Sequence, residues 1–180
     1  MLIILDRDGV INQDSDFYIK SVEEWQPIEG SIEAIAALKQ AGHTVAIATN
    51  QSGLARGFYN LETLHAMHTK MQQLLKPFNT QVDYIAYCPH SPEDHCNCRK
   101  PLTGMLETIV QHFKRPKHEV VMVGDSISDY QAANHFGIRY MQVLTGKGDR
   151  TIASGKLPTH IAIYPNLQAA VNALLLQHSF

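Results

Sequence analysis

Cysteine is scarce and confined in this chain. Its three copies among 180 residues all fall between Cys88 and Cys98, which excludes a disulfide framework spread through the fold. No window approaches the roughly 18 apolar residues of a membrane span, and the amino terminus lacks a charged segment followed by a long apolar stretch. The chain is therefore expected to work in the cytoplasm, away from membranes. Excess charge of one sign is missing too. Fifteen basic and seventeen acidic residues leave a net charge of -2, with no basic stripe for a nucleic acid, so the expected partner is a small molecule. Internal repeats, low-complexity tracts and an interdomain linker are all lacking. Residues 1–180 are expected to form one domain, large enough to bury a core unaided, with a monomer as the default.

What is present is a regular alternation of element types. The apolar run Leu2 to Leu5 has the length of a strand buried on both faces. Ser31 is placed to cap a helix bearing Ile32, Ile35, Ala36 and Leu38, which Gly42 ends. A strand follows from Thr44 to Ala48, and Asn60 is expected to cap a helix that stops before Pro77. Further strands are expected at Val82 to Tyr87, Val120 to Val123, Tyr140 to Leu144 and Ile161 to Ile163. Between and after them come helices at Met105 to Phe113, Ile127 to Phe136 and after Asn166. Strands alternating with helices imply a parallel sheet with right-handed crossovers and helices on both faces, a Rossmann-like α/β architecture. The glycines of a dinucleotide site are absent after the first strand, where Asp6-Arg7-Asp8-Gly9 stands, so a NAD site is not expected. Gly146-Lys147-Gly148 lacks the full spacing of a phosphate loop and the Ser or Thr after the lysine, and reads as a plain loop.

Chemistry gathers where apolar strands end. Asp6 and Asp8 stand two apart at the end of the first strand, with Gly9 allowing the chain to turn away. The second strand ends in Thr49-Asn50-Gln51-Ser52, the run from Val120 ends in Gly124-Asp125, and Lys100 follows Arg99. A nucleophilic carboxylate, a second acid, a hydroxyl, a lysine and a further acidic strand end together suit phosphoryl transfer. In this order the motifs resemble those of the haloacid dehalogenase superfamily of phosphohydrolases.

All the cysteines belong to one short cluster, Cys88-Pro89-His90 followed by Cys96-Asn97-Cys98. Three thiolates and one imidazole make a closed tetrahedral zinc set, and closed sets are structural. The two short arms complete four ligands, which leaves His95 out. Zinc would stiffen a long irregular loop whose last ligand is followed directly by Arg99 and Lys100. This cluster, with Arg99-Lys100-Pro101, Gly104-Met105 and the run from Thr49 to Gly57, closely resembles the heptose bisphosphate phosphatase branch of the superfamily. The histidinol-phosphate phosphatases share the zinc loop and its short spacing, while the segment Gln51 to Gly57 fits the heptose branch better.

The resemblance implies a three-layer haloacid dehalogenase fold with a central parallel sheet, a zinc-stabilised loop and no separate cap domain, since about twenty residues lie between Asp8 and the first helix. It implies a Mg2+-dependent phosphatase that removes the 7-phosphate of a heptose 1,7-bisphosphate in making nucleotide-activated heptose for bacterial lipopolysaccharide. Histidinol phosphate is the alternative substrate, and a zinc-stabilised binding domain without catalysis the alternative class. Asp6 is then the nucleophile and Asp8 the acid and base. Mg2+ is expected on Asp6 and Asp125 with the backbone carbonyl of Asp8, and Asp129 either supports the metal from behind or stays solvated. Thr49 and Lys100 stabilise the transferring phosphoryl group, helped by backbone donors around Asn50, Gln51 and Ser52. Arg99 and Arg56 are candidates for the rest of the substrate, including its second phosphate. The stretch Asp14 to Lys20 could act as a short flap whose Asp14 and Tyr18 contact sugar.

Overall fold

The computed structural model describes residues 1–177. Its centre is a six-stranded parallel sheet in the order β3-β2-β1-β4-β5-β6, with β1 at Leu2–Leu5, β2 at Thr44–Asn50, β3 at Tyr84–Cys88, β4 at Val120–Gly124, β5 at Arg139–Val143 and β6 at Ala162–Tyr164. Because side chains alternate along a strand, β1 feeds two cores. Ile3 and Leu5 face helices α1 (Ser31–Gln40), α2 (Leu61–Leu75) and α6 (Leu167–Gln177). Leu2 and Ile4 face α3 (Gly104–Phe113) and α4 (Ile127–Phe136). Burial on both sides is why this strand is apolar throughout.

The expected elements are present with ends shifted by one or two residues, and two local expectations need correction. Ser31 does not cap α1. Gly30 occupies the cap position in the left-handed region, and Ser31 Oγ instead donates to the Ile11 carbonyl at 2.6 Å, tying α1 to the loop after the first strand. Asn60 does cap α2, accepting from the Thr63 amide. The segment after Leu144 is not a plain loop, because Gly148–Ala153 forms a further helix, α5. At six residues it is too short to display a helical period in the sequence.

Strand order positions the site. In open parallel sheets ligands bind beyond the carboxyl ends of the strands near the point where the winding reverses, and β1 lies between β2 and β4. The residues at and just past these three ends are Asp6, Thr49 and Asp125. Residues 9–30 contain turns and isolated bridges with no helix or strand of their own. Among the described residues no helix is long and apolar enough to cross a membrane.

Candidate active site

A cavity of about 510 Å3 opens at this edge. Its lining includes Asp6, Asp8, Asp14, Tyr18, Thr49, Asn50, Gln51, Ser52, Arg99, Lys100 and Asp125. Arg56 is the exception to the sequence-based set: it is exposed and stands outside the lining. It lies in a surface turn where its amide bonds the Ser52 carbonyl.

Buried charge dominates the floor. Lys100 Nζ lies 2.9 Å from Asp6 Oδ1 and 2.6 Å from Asp129 Oδ1, and donates to the Ala48 carbonyl at 2.6 Å. Burial disfavours the ammonium, but Asp129 and Asp6 outweigh it and raise its pKa, so Lys100 is charged. Asn50 holds this lysine by its backbone. The amide side chain accepts from Lys100 N and donates to Lys100 O.

Asp129 is neither solvated nor idle. Its carboxylate is fully buried, and Oδ2 accepts from the Ser126 amide and hydroxyl in a capping box that starts α4. Asp125 is held by the Lys147 amide, which donates to its Oδ2 at 2.7 Å. Space there is minimal. A Cβ built on Gly9 or Gly146 would come within 2.1 or 2.2 Å of Asp125 Oδ2, and both glycines have positive φ, at 86° and 60°. The loop containing Lys147 is therefore part of the site.

The oxygens of Asp6, Asp125 and Asp129 lie within 4.8 Å of one another. Fully ionised, these three carboxylates would carry two more negative charges than the one ammonium balances. Burial first, then the charge of Asp129, pushes Asp6 up to about 7 against the pull of Lys100. Asp125 is raised well above its usual range for the same reasons, burial leading. A hard divalent cation fits this all-oxygen set and its charge deficit, and would restore an ionised Asp6. Side-chain oxygens of Asp8 are not in the cluster, which leaves its backbone carbonyl as the atom expected at the metal.

Asp8 has an unlike environment. Arg7 donates to its Oδ1 from Nε at 3.0 Å and from Nη2 at 2.8 Å, and to its Oδ2 from Nη2 at 3.0 Å. Asn12 Nδ2 adds a bond to Oδ1 at 2.8 Å, and Gln51 Nε2 one to Oδ2 at 2.9 Å. Burial would raise this carboxyl, but Arg7 and these amides overcome it and lower its pKa. Gln51 also donates to Thr49 Oγ1 and accepts from the Tyr59 hydroxyl. The two aspartates of one short motif are thus pushed in opposite directions.

Arg7 is entirely buried, and its remaining end, Nη1, lies 3.3 Å from His68 Nε2 on α2. Burial and then the charge of Arg7 bring His68 down to about 3. An unfolded chain would protonate this histidine below about pH 6.5, whereas the folded chain resists until near pH 3. Its contribution to stability is therefore intact above that upper value and is lost as pH falls through the window between the two. Comparing urea unfolding at pH 7 and pH 5, the native chain should lose up to about 2 kcal/mol more than His68→Gln.

Cys88, His90, Cys96 and Cys98 form a second cluster. The sulfur of Cys88 lies 3.6 Å from that of Cys96 and 3.0 Å from that of Cys98, and His90 Nδ1 lies 3.6 and 3.3 Å from Cys88 and Cys98. Zinc–sulfur bonds of about 2.3 Å give tetrahedral edges near ~3.8 Å, so the cluster is slightly contracted but shaped for the ion. Burial works against ionisation of Cys96, but the Arg99 amide and the neighbouring thiols overcome it and bring the thiol down to about 7. His95 does not join the cluster. Arg99 Nη1 reaches back to the His90 carbonyl at 3.3 Å, linking the cluster to the cavity wall. Protein purified without chelator should contain one zinc per chain, and chelation or Cys98→Ser should lower the unfolding midpoint by at least about 5 °C.

Sequence reasoning missed several groups: Arg7, Asn12, Tyr59, Lys147 and Arg150. The last three line the cavity, where Lys147 Nζ lies 3.5 Å from Asp14 and Arg150 makes two bonds of 2.8 Å to Asp16. Lys147 did stand out between Gly146 and Gly148, but without the full spacing of a phosphate loop the stretch reads as a plain loop.

Comparison with known proteins identifies the family. The family model of haloacid dehalogenase-like hydrolases matches residues 2–137. The chain is 52% identical over 174 residues to D-glycero-beta-D-manno-heptose-1,7-bisphosphate 7-phosphatase of Pseudomonas aeruginosa, covering 97% of each chain. It is similar to the crystal structure of D,D-heptose 1,7-bisphosphate phosphatase from Bordetella bronchiseptica complexed with magnesium and phosphate, with 48% identity, 98% coverage of both chains and a TM-score of 0.95. The corresponding enzyme from Burkholderia thailandensis matches at 37% identity, 97% coverage of both chains and a TM-score of 0.76.

Proposed function

This chain belongs to the haloacid dehalogenase-like hydrolases, and from that premise we propose that it is a single-domain, Mg2+-dependent phosphatase removing the 7-phosphate of D-glycero-D-manno-heptose 1,7-bisphosphate. The reading includes a cytoplasmic monomer that takes a phosphorylated sugar and contributes to nucleotide-activated heptose. The observation that carries it is the cluster of Asp6, Lys100, Asp125 and Asp129 at the strand ends, in a chain similar over nearly its whole length to phosphatases of that substrate.

Asp6 is the nucleophile. One of its oxygens bonds to phosphorus as the bond from phosphorus to the sugar oxygen breaks, and Asp8 gives that oxygen a proton. Asp8, left ionised, then takes a proton from water as the water oxygen attacks the aspartyl phosphate and Asp6 departs as carboxylate. The donors around Asp8 orient its carboxylate and favour its ionised form, which suits the water-activating step; the proton it gives to the sugar oxygen is taken up from solvent before the first step. Asp6, Asp125 and the Asp8 carbonyl, with Asp129 behind, would hold Mg2+, which when bound would supply neutralising charge for phosphoryl transfer. Lys100 neutralises the same region, and Thr49 with the amides of Asn50 and Ser52 meets the phosphoryl oxygens, whereas the Gln51 amide is bonded to the Cys88 carbonyl at 2.8 Å. Arg99, Lys147 and Arg150 line the cavity as cations for the second phosphate, with Asp14 and Tyr18 left to meet sugar.

Substrate choice is tested by catalytic efficiency on heptose 1,7-bisphosphate and on histidinol phosphate, with phosphorus NMR to identify which phosphate leaves. A preference of about 100-fold or more for the bisphosphate with loss at position 7 is expected, since a substrate that carries one phosphate would leave Arg99, Lys147 and Arg150 with no second phosphate to meet. Preference for histidinol phosphate would overturn the assignment.

A further inference from the structure

We propose that Arg7 and His68 are positioning residues that fix the plane of the Asp8 carboxylate for activation of water, so that a helix on the outer face of the sheet supports the second half of the reaction. This rests on the mechanism above. Neither residue lines the cavity, so neither touches substrate.

The case begins with the cost of burying a guanidinium. Arg7 has no exposed surface, and desolvating such a group is expensive unless its donors are used. Three bonds from Nε and Nη2 go to Asp8, and its third nitrogen, Nη1, meets His68 Nε2 at 3.3 Å. The fork geometry of arginine reaches both carboxylate oxygens, so it fixes the plane of the acid and not merely its position. Asn12 and Gln51 then approach one oxygen each.

The chemical identity of the far partner matters. Neutral imidazole offers a lone pair to Nη1 without cancelling the charge of the guanidinium, whereas a carboxylate there would compete with Asp8 for it. His68 is 7% exposed and sits on the buried face of α2. The groups facing it are Arg7, Asp8 and His65, with the Tyr87 ring 6.5 Å away. Its low pKa, set by burial and Arg7, keeps it an acceptor throughout the working range.

The step affected is defined. A water oxygen bonds to phosphorus, the bond from phosphorus to Asp6 breaks with its electron pair returning to that carboxylate, and the water proton passes to Asp8. Misalignment of Asp8 should slow this step. Formation of the aspartyl phosphate is spared when the leaving group needs no proton, as with p-nitrophenyl phosphate. The test is rapid-quench kinetics on p-nitrophenyl phosphate with saturating Mg2+, measuring both the nitrophenol burst and phosphate bound to Asp6.

His68→Leu and Arg7→Met should lower kcat by about 10- to 100-fold while raising the steady-state phosphoenzyme fraction relative to the native chain. His68→Gln, which keeps an acceptor for Nη1, should restore kcat to within about threefold. If His68→Leu lowers kcat and the phosphoenzyme fraction together, or changes neither, the positioning role is wrong. Failure of Arg7→Met to fold leaves the His68 pair decisive. A native enzyme that turns over without phosphate ever appearing on Asp6 under quench would overturn the covalent reading and this role with it. A substrate preference for histidinol phosphate would leave both standing.

Discussion

Asp6→Asn is expected to lower kcat by at least about four orders of magnitude while leaving the fold, the zinc content and the unfolding midpoint close to native. The amide is nearly isosteric with the acid, so it fits the space beside Lys100, 2.9 Å away, and it still accepts a hydrogen bond from the ammonium. What it loses is nucleophilicity and one negative charge. Because burial and Asp129 already oppose the charge on Asp6, the neutral amide relieves strain in the metal-free protein, and the variant should unfold at the same or a slightly higher temperature without Mg2+. Loss of activity with gain of stability is characteristic of a strained catalytic group and differs from a folding defect. Circular dichroism melts with and without Mg2+, beside turnover of heptose 1,7-bisphosphate, separate the two. Turnover at the native rate would remove Asp6 from the mechanism.

Lys100→Met should produce the opposite combination, with activity and stability falling together. Removing the ammonium leaves Asp6 and Asp129 buried beside each other without their shared partner. Breaking a buried ion pair by deleting one member costs about 3–5 kcal/mol, and losing one preorganised cation at a transferring group costs about 10²–10³ in kcat. The deficit has a definite pH dependence. Protonating the carboxylates left behind removes the uncompensated charge, so the gap to the native chain should narrow from pH 8 to pH 5. Saturating Mg2+ should narrow it as well, since the ion answers the same charge. Urea titrations at both pH values check this, and a gap that widens on acidification would contradict the assignment of Lys100 as the cluster's counter-charge.

Features that act through composition and period were legible from the residues alone. The Leu2 to Leu5 run, the Asn60 cap and the acids after β1 and β4 could be read directly, and the rule that parallel sheets gather their chemistry at carboxyl ends brought Asp6, Thr49 and Asp125 together. The zinc cluster was visible because its donors are crowded into eleven residues. What escaped reading was set by tertiary contacts. Arg7 stands between two acids and reads as a solvated charge, and only the path of α2 places His68 against its far end. Asp129 reads as support for the metal or as a solvated acid, yet its carboxylate closes the capping box begun by Ser126 with one oxygen and meets Lys100 with the other. Lys147 acts on Asp125 through its amide, a group every residue but proline possesses, so residue identity carried no signal. Ser31 shows the converse, since a good capping residue was drawn away by the Ile11 carbonyl.

Gly9 and Gly146 belong to turns 137 positions apart, yet a Cβ on the second would lie 2.4 Å from the α-carbon of the first, with Asp125 beside both. One methyl group has nowhere to go at either place, and shrinking the opposite partner is impossible because it is already the smallest residue. In a saturation library these two positions should therefore stand out as a pair that no compensating double change can rescue, and the turn after β5 inherits the same intolerance as the nucleophile motif itself.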